Sequence, residues 1–255
     1  MKILRIFISI FVVVLCFHCA SVKNDSEITL KDKITSGLDN LERERYIQAQ
    51  ADFKYVLIRG TGTDLGDDAQ YYLGEAFFRN EEYLLAIAEY EKLTRRMGFS
   101  PFVEDARFKI CEAYRIESPK YYHDQQYTEK ALDRYQEFLD DYPNSKFNDE
   151  VLSSITILRE KLGKKVYETG VLYIKMEEYE SAKISFQTVI DQYYDTKIVF
   201  LAQQGMIKAL VKNNETTEAI SLLNEFKTQL QENGLFEQLD QIIKSKKKKN
   251  AVEEG

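Results

Sequence analysis

Few side chains in this sequence are of the kinds that carry covalent or acid–base chemistry, and two of them stand together near the N-terminus. Cys16 and Cys19 close an apolar run, Ile6 to Phe17, that follows the basic residues Lys2 and Arg5. At the helical rise such a run covers about 18 Å, short of a bilayer core of about 30 Å. The pattern is that of a signal peptide rather than a permanent span. A cysteine closing such a run suggests a lipoprotein signal, in which the thiol is acylated, typically with palmitate, and becomes the new N-terminus. The chain turns polar directly after Cys19, which makes Cys19 the expected lipidation site. Residues 1–18 then form the signal peptide and 19–28 a lipid-anchored tether.

The remaining inventory argues against catalysis. With Cys19 acylated, Cys111 is the one thiol left and no disulfide can form within the chain. His123 is the one histidine left, beside Tyr121 and Tyr122, with no second histidine or cysteine to complete a zinc site. The sequence has no Gly-rich phosphate loop and no Gly-x-Ser-x-Gly elbow. Carboxylate pairs such as Glu177-Glu178 read as solvated helix faces. No enzyme, metal or cofactor is expected, and no small-molecule substrate. The formal net charge is −7, and loss of Lys2 and Arg5 with the signal makes it −9. Such a chain lacks the basic face that nucleic-acid binding requires. The one basic cluster, Lys244 with Lys246 to Lys249, reads as a solubilising tail.

The elements that must position any functional residue are helices. Breakers are scarce (11 Gly, 3 Pro), and apolar residues recur at spacings of three and four to about residue 230. An internal repeat decides the architecture. From Gly74, residues Phe77, Ala86, Tyr90 and Leu93 lie at offsets +3, +12, +16 and +19; from Gly170, residues Tyr173, Ala182, Phe186 and Val189 lie at the same offsets. These are the signature places of the tetratricopeptide repeat (TPR): a small residue where two helices cross, an alanine on the facing helix, and an aromatic that fills the remaining gap. Weaker copies surround Gly37 with Ala49, Phe53 and Val56, Cys111 with Ala131 and Tyr135, and Ala219 with Leu223. The third copy carries an insertion, Ile116 to Asp124. The expected fold is an all-α, TPR-like helical solenoid of about five helix-turn-helix repeats. Residues 29–144 hold repeats 1–3, residues 145–230 a connecting helix and repeats 4–5, and residues 231–255 a C-terminal helix and basic tail. Cys111 takes a packing role at a helix crossing.

In such a solenoid the first helix of each repeat lines the concave face. The places that point inward give a candidate client-peptide groove of Ile34, Leu38, Tyr71, Glu75, Phe78, Arg79, Phe108 and Arg115. Aromatics supply contact area, and an arginine holds a carboxylate with two hydrogen bonds. The pair suits an extended peptide ending in an aromatic residue and a free carboxylate. In the fourth repeat Tyr167, Ile174 and Lys175, with the turn residues Glu177 and Glu178, form a candidate surface for docking a folded partner.

Taken as a set, these features resemble the BamD family, the lipoprotein TPR subunit of the outer-membrane β-barrel assembly machine. The residues that carry the resemblance are Tyr46-x-x-Ala49-x-x-x-Phe53, Tyr83-x-x-Ala86-Ile87-x-x-Tyr90, Ala131-Leu132-x-x-Tyr135-x-x-Phe138, Tyr142-Pro143-Asn144-Ser145, the helix ending Leu158-Arg159-Glu160-Lys161-Leu162, and Tyr193-Tyr194-Asp195-Thr196. The resemblance implies a protein lipid-anchored on the periplasmic face of the outer membrane. It also implies C-terminal repeats that hold the periplasmic domains of a barrel-forming assembly protein, and N-terminal repeats that meet unfolded outer-membrane proteins. The alternative is a periplasmic TPR adaptor in cell-envelope division, cell-wall or secretion machinery.

Overall fold

The computed structural model describes residues 29–60 and 62–253. The expected signal peptide, lipidation site Cys19 and tether to residue 28 lie outside the described residues. Among the described residues the chain forms twelve helices and no strand, the all-α TPR-like fold expected from the repeat.

The chain divides into two compact units, one ending at Phe102 and the other beginning at Val103. The first holds two helical hairpins, α1 (Leu30–Glu42) with α2 (Tyr46–Arg59) and α3 (Asp64–Arg79) with α4 (Tyr83–Arg96). A capping box starts α1: Thr29 Oγ1 accepts from the Asp32 N–H at 3.1 Å, and the Asp32 carboxylate accepts from the Thr29 N–H at 3.1 Å. The buried Asp52 on α2 ties the hairpin together by accepting from Lys33 Nζ (2.6 Å), Ser36 Oγ (2.7 Å) and Asn40 Nδ2 (3.0 Å). Burial alone would raise its pKa, but these donors outweigh burial and hold the carboxyl below the usual carboxylate range.

The second unit runs through α5 (Val103–Glu117), α6 (Gln126–Asp141), α7 (Asn148–Lys175), α8 (Tyr179–Gln192), α9 (Ile198–Lys212), α10 (Thr216–Glu225), α11 (Lys227–Glu232) and α12 (Phe236–Glu253). Here α5 packs on α6, α6 on α7, and α7 to α10 pack in succession, with α12 closing on α9 and α10. Two features differ from the sequence expectation. The connecting helix and the first helix of the fourth repeat are one continuous 28-residue helix, α7. Gly163, midway along it, does not break it. A Cβ there would meet Ile198 Cγ2 at 2.7 Å and Tyr193 Cβ at 3.1 Å, so the glycine serves a close crossing of α7 with the chain entering α9. The lysine cluster, expected in a loose tail, lies on α12.

The signature residues do what their types require. Cβ atoms built at Gly37, Gly74 and Gly170 would lie 2.5, 2.5 and 2.7 Å from the rings of Phe53, Tyr90 and Phe186. Those rings and Tyr135 are fully buried, as are Ala49, Ala86, Ala131, Ala182 and Ala219. Each ring contributes about 1.5–3 kcal/mol by leaving water. Phe186 also lies 2.6 Å from the Cβ position of Gly205, so it fills the gap to the next repeat as well as its own.

Candidate functional site

The groove residues that lie in the first unit are Ile34, Leu38, Tyr71, Glu75, Phe78 and Arg79. Ile34 and Glu75 are buried, Leu38, Tyr71 and Phe78 are half-buried, and Arg79 is exposed. Tyr71 stacks on Phe102 with centroids 4.5 Å apart, and Phe78 meets Tyr83 edge-on at 5.3 Å. Glu75 accepts from the buried Tyr90 hydroxyl at 2.5 Å, and Arg79 Nη2 stands 3.6 Å from its second oxygen. Burial, with the adjacent Glu75 charge, pushes the Tyr90 hydroxyl well above its ordinary pKa, so it remains a donor at all physiological pH.

The second unit repeats this arrangement with Glu112. Tyr135 donates to Glu112 Oε1, and Arg115 grips the same carboxylate through Nε and Nη2. Burial alone would raise the Glu112 pKa; Arg115 and Tyr135 together outweigh it and hold the carboxyl low. The guanidinium of Arg115 is therefore engaged by a carboxylate of its own helix. Phe108 is buried and stacks face to face on Phe147 at 4.0 Å. Cys111 is buried beside it, and burial pushes its thiol well above the ordinary range, which keeps it protonated and unreactive.

These glutamate–tyrosine pairs were not singled out in the sequence, though it carries their signal. Where the second helix holds Tyr (Tyr90, Tyr135), the residue after the small one is Glu (Glu75, Glu112). Where it holds Phe (Phe53, Phe186), that residue is Leu38 or Val171. A buried hydroxyl requires an acceptor, and a buried phenyl requires an apolar neighbour.

The docking residues all belong to the second unit. Tyr167 on α7 is half-buried, its ring 5.7 Å from Phe186. Ile174 packs on the same core. Lys175, Glu177 and Glu178 are exposed at the turn between α7 and α8, where Glu177 takes a left-handed φ of 63°. Leu172 on α7, Met176 just after it and Ile184 on α8 are also exposed, at 54%, 59% and 69%.

The insertion before α6 is ordered. Gln125, almost fully buried, donates to the carbonyls of Lys120 (2.9 Å) and His123 (3.0 Å), and Thr128 Oγ1 donates to Gln125 Oε1 at 2.8 Å. It leans on α7 through Lys161 Nζ to Ser118 Oγ (2.7 Å) and Lys165 Nζ to the His123 carbonyl (2.9 Å). Among the described residues no group of His, Cys, Asp and Glu is arranged to hold a metal ion. The geometry thus offers buried carboxylates with their donors already in place, and exposed apolar and charged faces suited to contact with other chains.

The family model described as outer membrane lipoprotein (YfiO) matches residues 27–218. The chain belongs to this outer membrane lipoprotein family. The match runs from residue 27 into α10, so the family covers residues of both units. A relative from Rickettsia prowazekii (strain Madrid E), named outer membrane protein assembly factor BamD, is 22% identical over 206 residues, 77% of this chain and 79% of that protein. Among solved structures, a crystal structure of MamA protein is similar at 14% identity, covering 82% of this chain and 96% of that one with a TM-score of 0.35.

Proposed function

We propose that this chain is a non-catalytic subunit of an outer-membrane protein assembly machinery, anchored to the periplasmic face of the outer membrane through acylated Cys19. The observation that carries the reading is the family match across residues 27–218, joined by the relative whose name is that of an assembly factor. In this reading the C-terminal repeats, through Tyr167, Ile174, Lys175, Glu177 and Glu178, hold the periplasmic domains of a barrel-forming assembly protein. The exposed and half-buried side chains of the first unit, Leu38, Tyr71, Phe78 and Arg79, meet unfolded outer-membrane proteins. Half-exposed aromatics beside a charged rim are the composition of protein-contact surfaces, and buried carboxylates fully supplied with donors stabilise the scaffold rather than do chemistry.

A mild-detergent pull-down of the tagged full chain from native membranes tests the reading. Near-equal recovery of a barrel-forming membrane protein is the expected result. Recovery of division, cell-wall or secretion components alone would overturn it in favour of an adaptor with other clients.

A further inference from the structure

The insertion and the long helix α7 flank an open depression of about 340 Å³ lined by Lys120, Tyr121, Tyr122, Ile157, Glu160, Lys161 and Lys164. None of these belongs to the client or docking residues above. The lining is largely apolar, and Tyr122 and Ile157 are 59% and 58% exposed. Exposed apolar side chains grouped beside polar ones mark contact sites for other chains. Three lysines against the one carboxylate of Glu160 give this lining an excess of positive charge, in a chain whose net charge is −7. Lys161 Nζ bonds only the neutral Ser118 hydroxyl (2.7 Å) and carbonyl (3.3 Å), and Lys164 Nζ sits 4.7 Å over the Tyr121 ring. No carboxylate of the described residues forms an ion pair with Lys120, Lys161 or Lys164, although such pairs are frequent elsewhere in the chain.

We propose that this depression is a docking site for an extended acidic segment of a partner protein. One aromatic or branched aliphatic side chain would enter between Tyr121, Tyr122 and Ile157, with flanking carboxylates on the three lysines. The volume is at the small end of ligand pockets, roughly 300–1,000 Å³, and suits one large side chain. Charge complementarity selects the acidic partner. A lipid headgroup layer fits less well, because Lys161 is partly buried under the insertion and only a group that enters the depression reaches it. The insertion keeps its shape through Gln125 and Thr128, so the site exists before the partner arrives and little ordering entropy is lost on binding. The proposal is independent of the assembly role, since it rests on this surface alone.

The test is fluorescence anisotropy with the full chain in mild detergent and a labelled peptide, Asp-Glu-Asp-Phe-Glu-Leu-Asp-Glu. Its comparison peptides replace the acids by Asn and Gln, or Phe and Leu by Ser. Lys120→Glu with Lys164→Glu is one variant, and Tyr122→Ser with Ile157→Ser the other; all four positions are exposed, and circular dichroism checks that each variant is folded. The expected result is that either double variant and either altered peptide weakens binding at least about tenfold. Absence of binding by the acidic peptide overturns the proposal. So does loss with the lysine variant while Tyr122→Ser with Ile157→Ser leaves binding unchanged, the pattern of a charge-only surface such as one facing anionic lipid.

Discussion

At the scale of single residues, the Glu112, Tyr135 and Arg115 cluster shows how a buried charge is tolerated. The carboxyl loses hydration, and two donors replace it. Because the folded pKa is held below the ordinary value of 4.5, the stabilisation is complete above that value and is lost as pH falls through the lower, folded one. Tyr135→Phe removes one donor and leaves part of a buried carboxylate unsatisfied. It should cost about 1–3 kcal/mol at neutral pH, and its difference from wild type should narrow below about pH 4.5; urea unfolding at a series of pH values measures both. Steric fit is tested at Gly74. A Cβ there would sit 2.5 Å from the Tyr90 ring, so Gly74→Ala should destabilise by about 1–3 kcal/mol through overpacking. Gly98→Ala, whose Cβ would meet only the Thr94 carbonyl at 4.0 Å, should leave the unfolding midpoint almost unchanged. The glycines and alanines were readable in the sequence because a helix crossing admits nothing larger at a fixed offset. The glutamates were not, because a charged residue at one of these places reads as solvent-facing until the tyrosine opposite it is taken into account.

At the scale of elements, four hairpins share one turn. Glu44, Glu81, Glu177 and Asn214 all have φ between 57° and 65°. In each case the next residue donates back to the carbonyl five earlier: Arg45 to Asn40, Glu82 to Phe77, Glu178 to Tyr173 and Glu215 to Leu210, at 2.8–3.0 Å. This is the helix-terminating turn that usually takes glycine or asparagine. The left-handed conformation costs an ordinary residue about 1–2 kcal/mol, part of which glycine returns through its looser unfolded chain. Glu81→Gly should therefore raise stability by about 0.5 kcal/mol and Glu81→Val should lower it by at least about 1 kcal/mol, read from denaturation midpoints. Three glutamates in this conformation explain why the turns were legible as short gaps and not as left-handed residues. The continuity of α7 was hidden for a related reason. The repeat pattern around Gly170 reads as a new unit, and Gly163 reads as a break, whereas the backbone runs on as one helix and Gly163 serves the close approach of the chain entering α9. The insertion was visible as a delay in the repeat, but its ordered form depends on Gln125 and Thr128 turning inward, which no periodicity reports.

At the scale of the whole molecule, attachment to the membrane is expected from the lipid anchor proposed at Cys19. Among the described residues no helix is long and apolar enough to cross a membrane. The net charge of −7 gives the chain no general attraction to anionic lipid. The proposed anchor is the cysteine at the close of the apolar run, with the lysines of α12 and the barrel-forming partner as rival attachments. One acyl chain binds a bilayer only weakly and reversibly, whereas two or more hold stably, so loss of an acylated cysteine should be decisive rather than graded. Cys19→Ser should abolish incorporation of labelled palmitate and move the protein from the membrane fraction to the soluble fraction. Its helical circular dichroism and unfolding midpoint should stay as in wild type, since the buried residues described all lie at Ile34 or beyond. Cys16→Ser should change neither labelling nor fractionation, which separates the two cysteines. If Cys19→Ser lost the label and still sedimented with membranes, the anchor would lie elsewhere, and replacing Lys246, Lys247, Lys248 and Lys249 by Gln in the same chain would then show whether α12 supplies it.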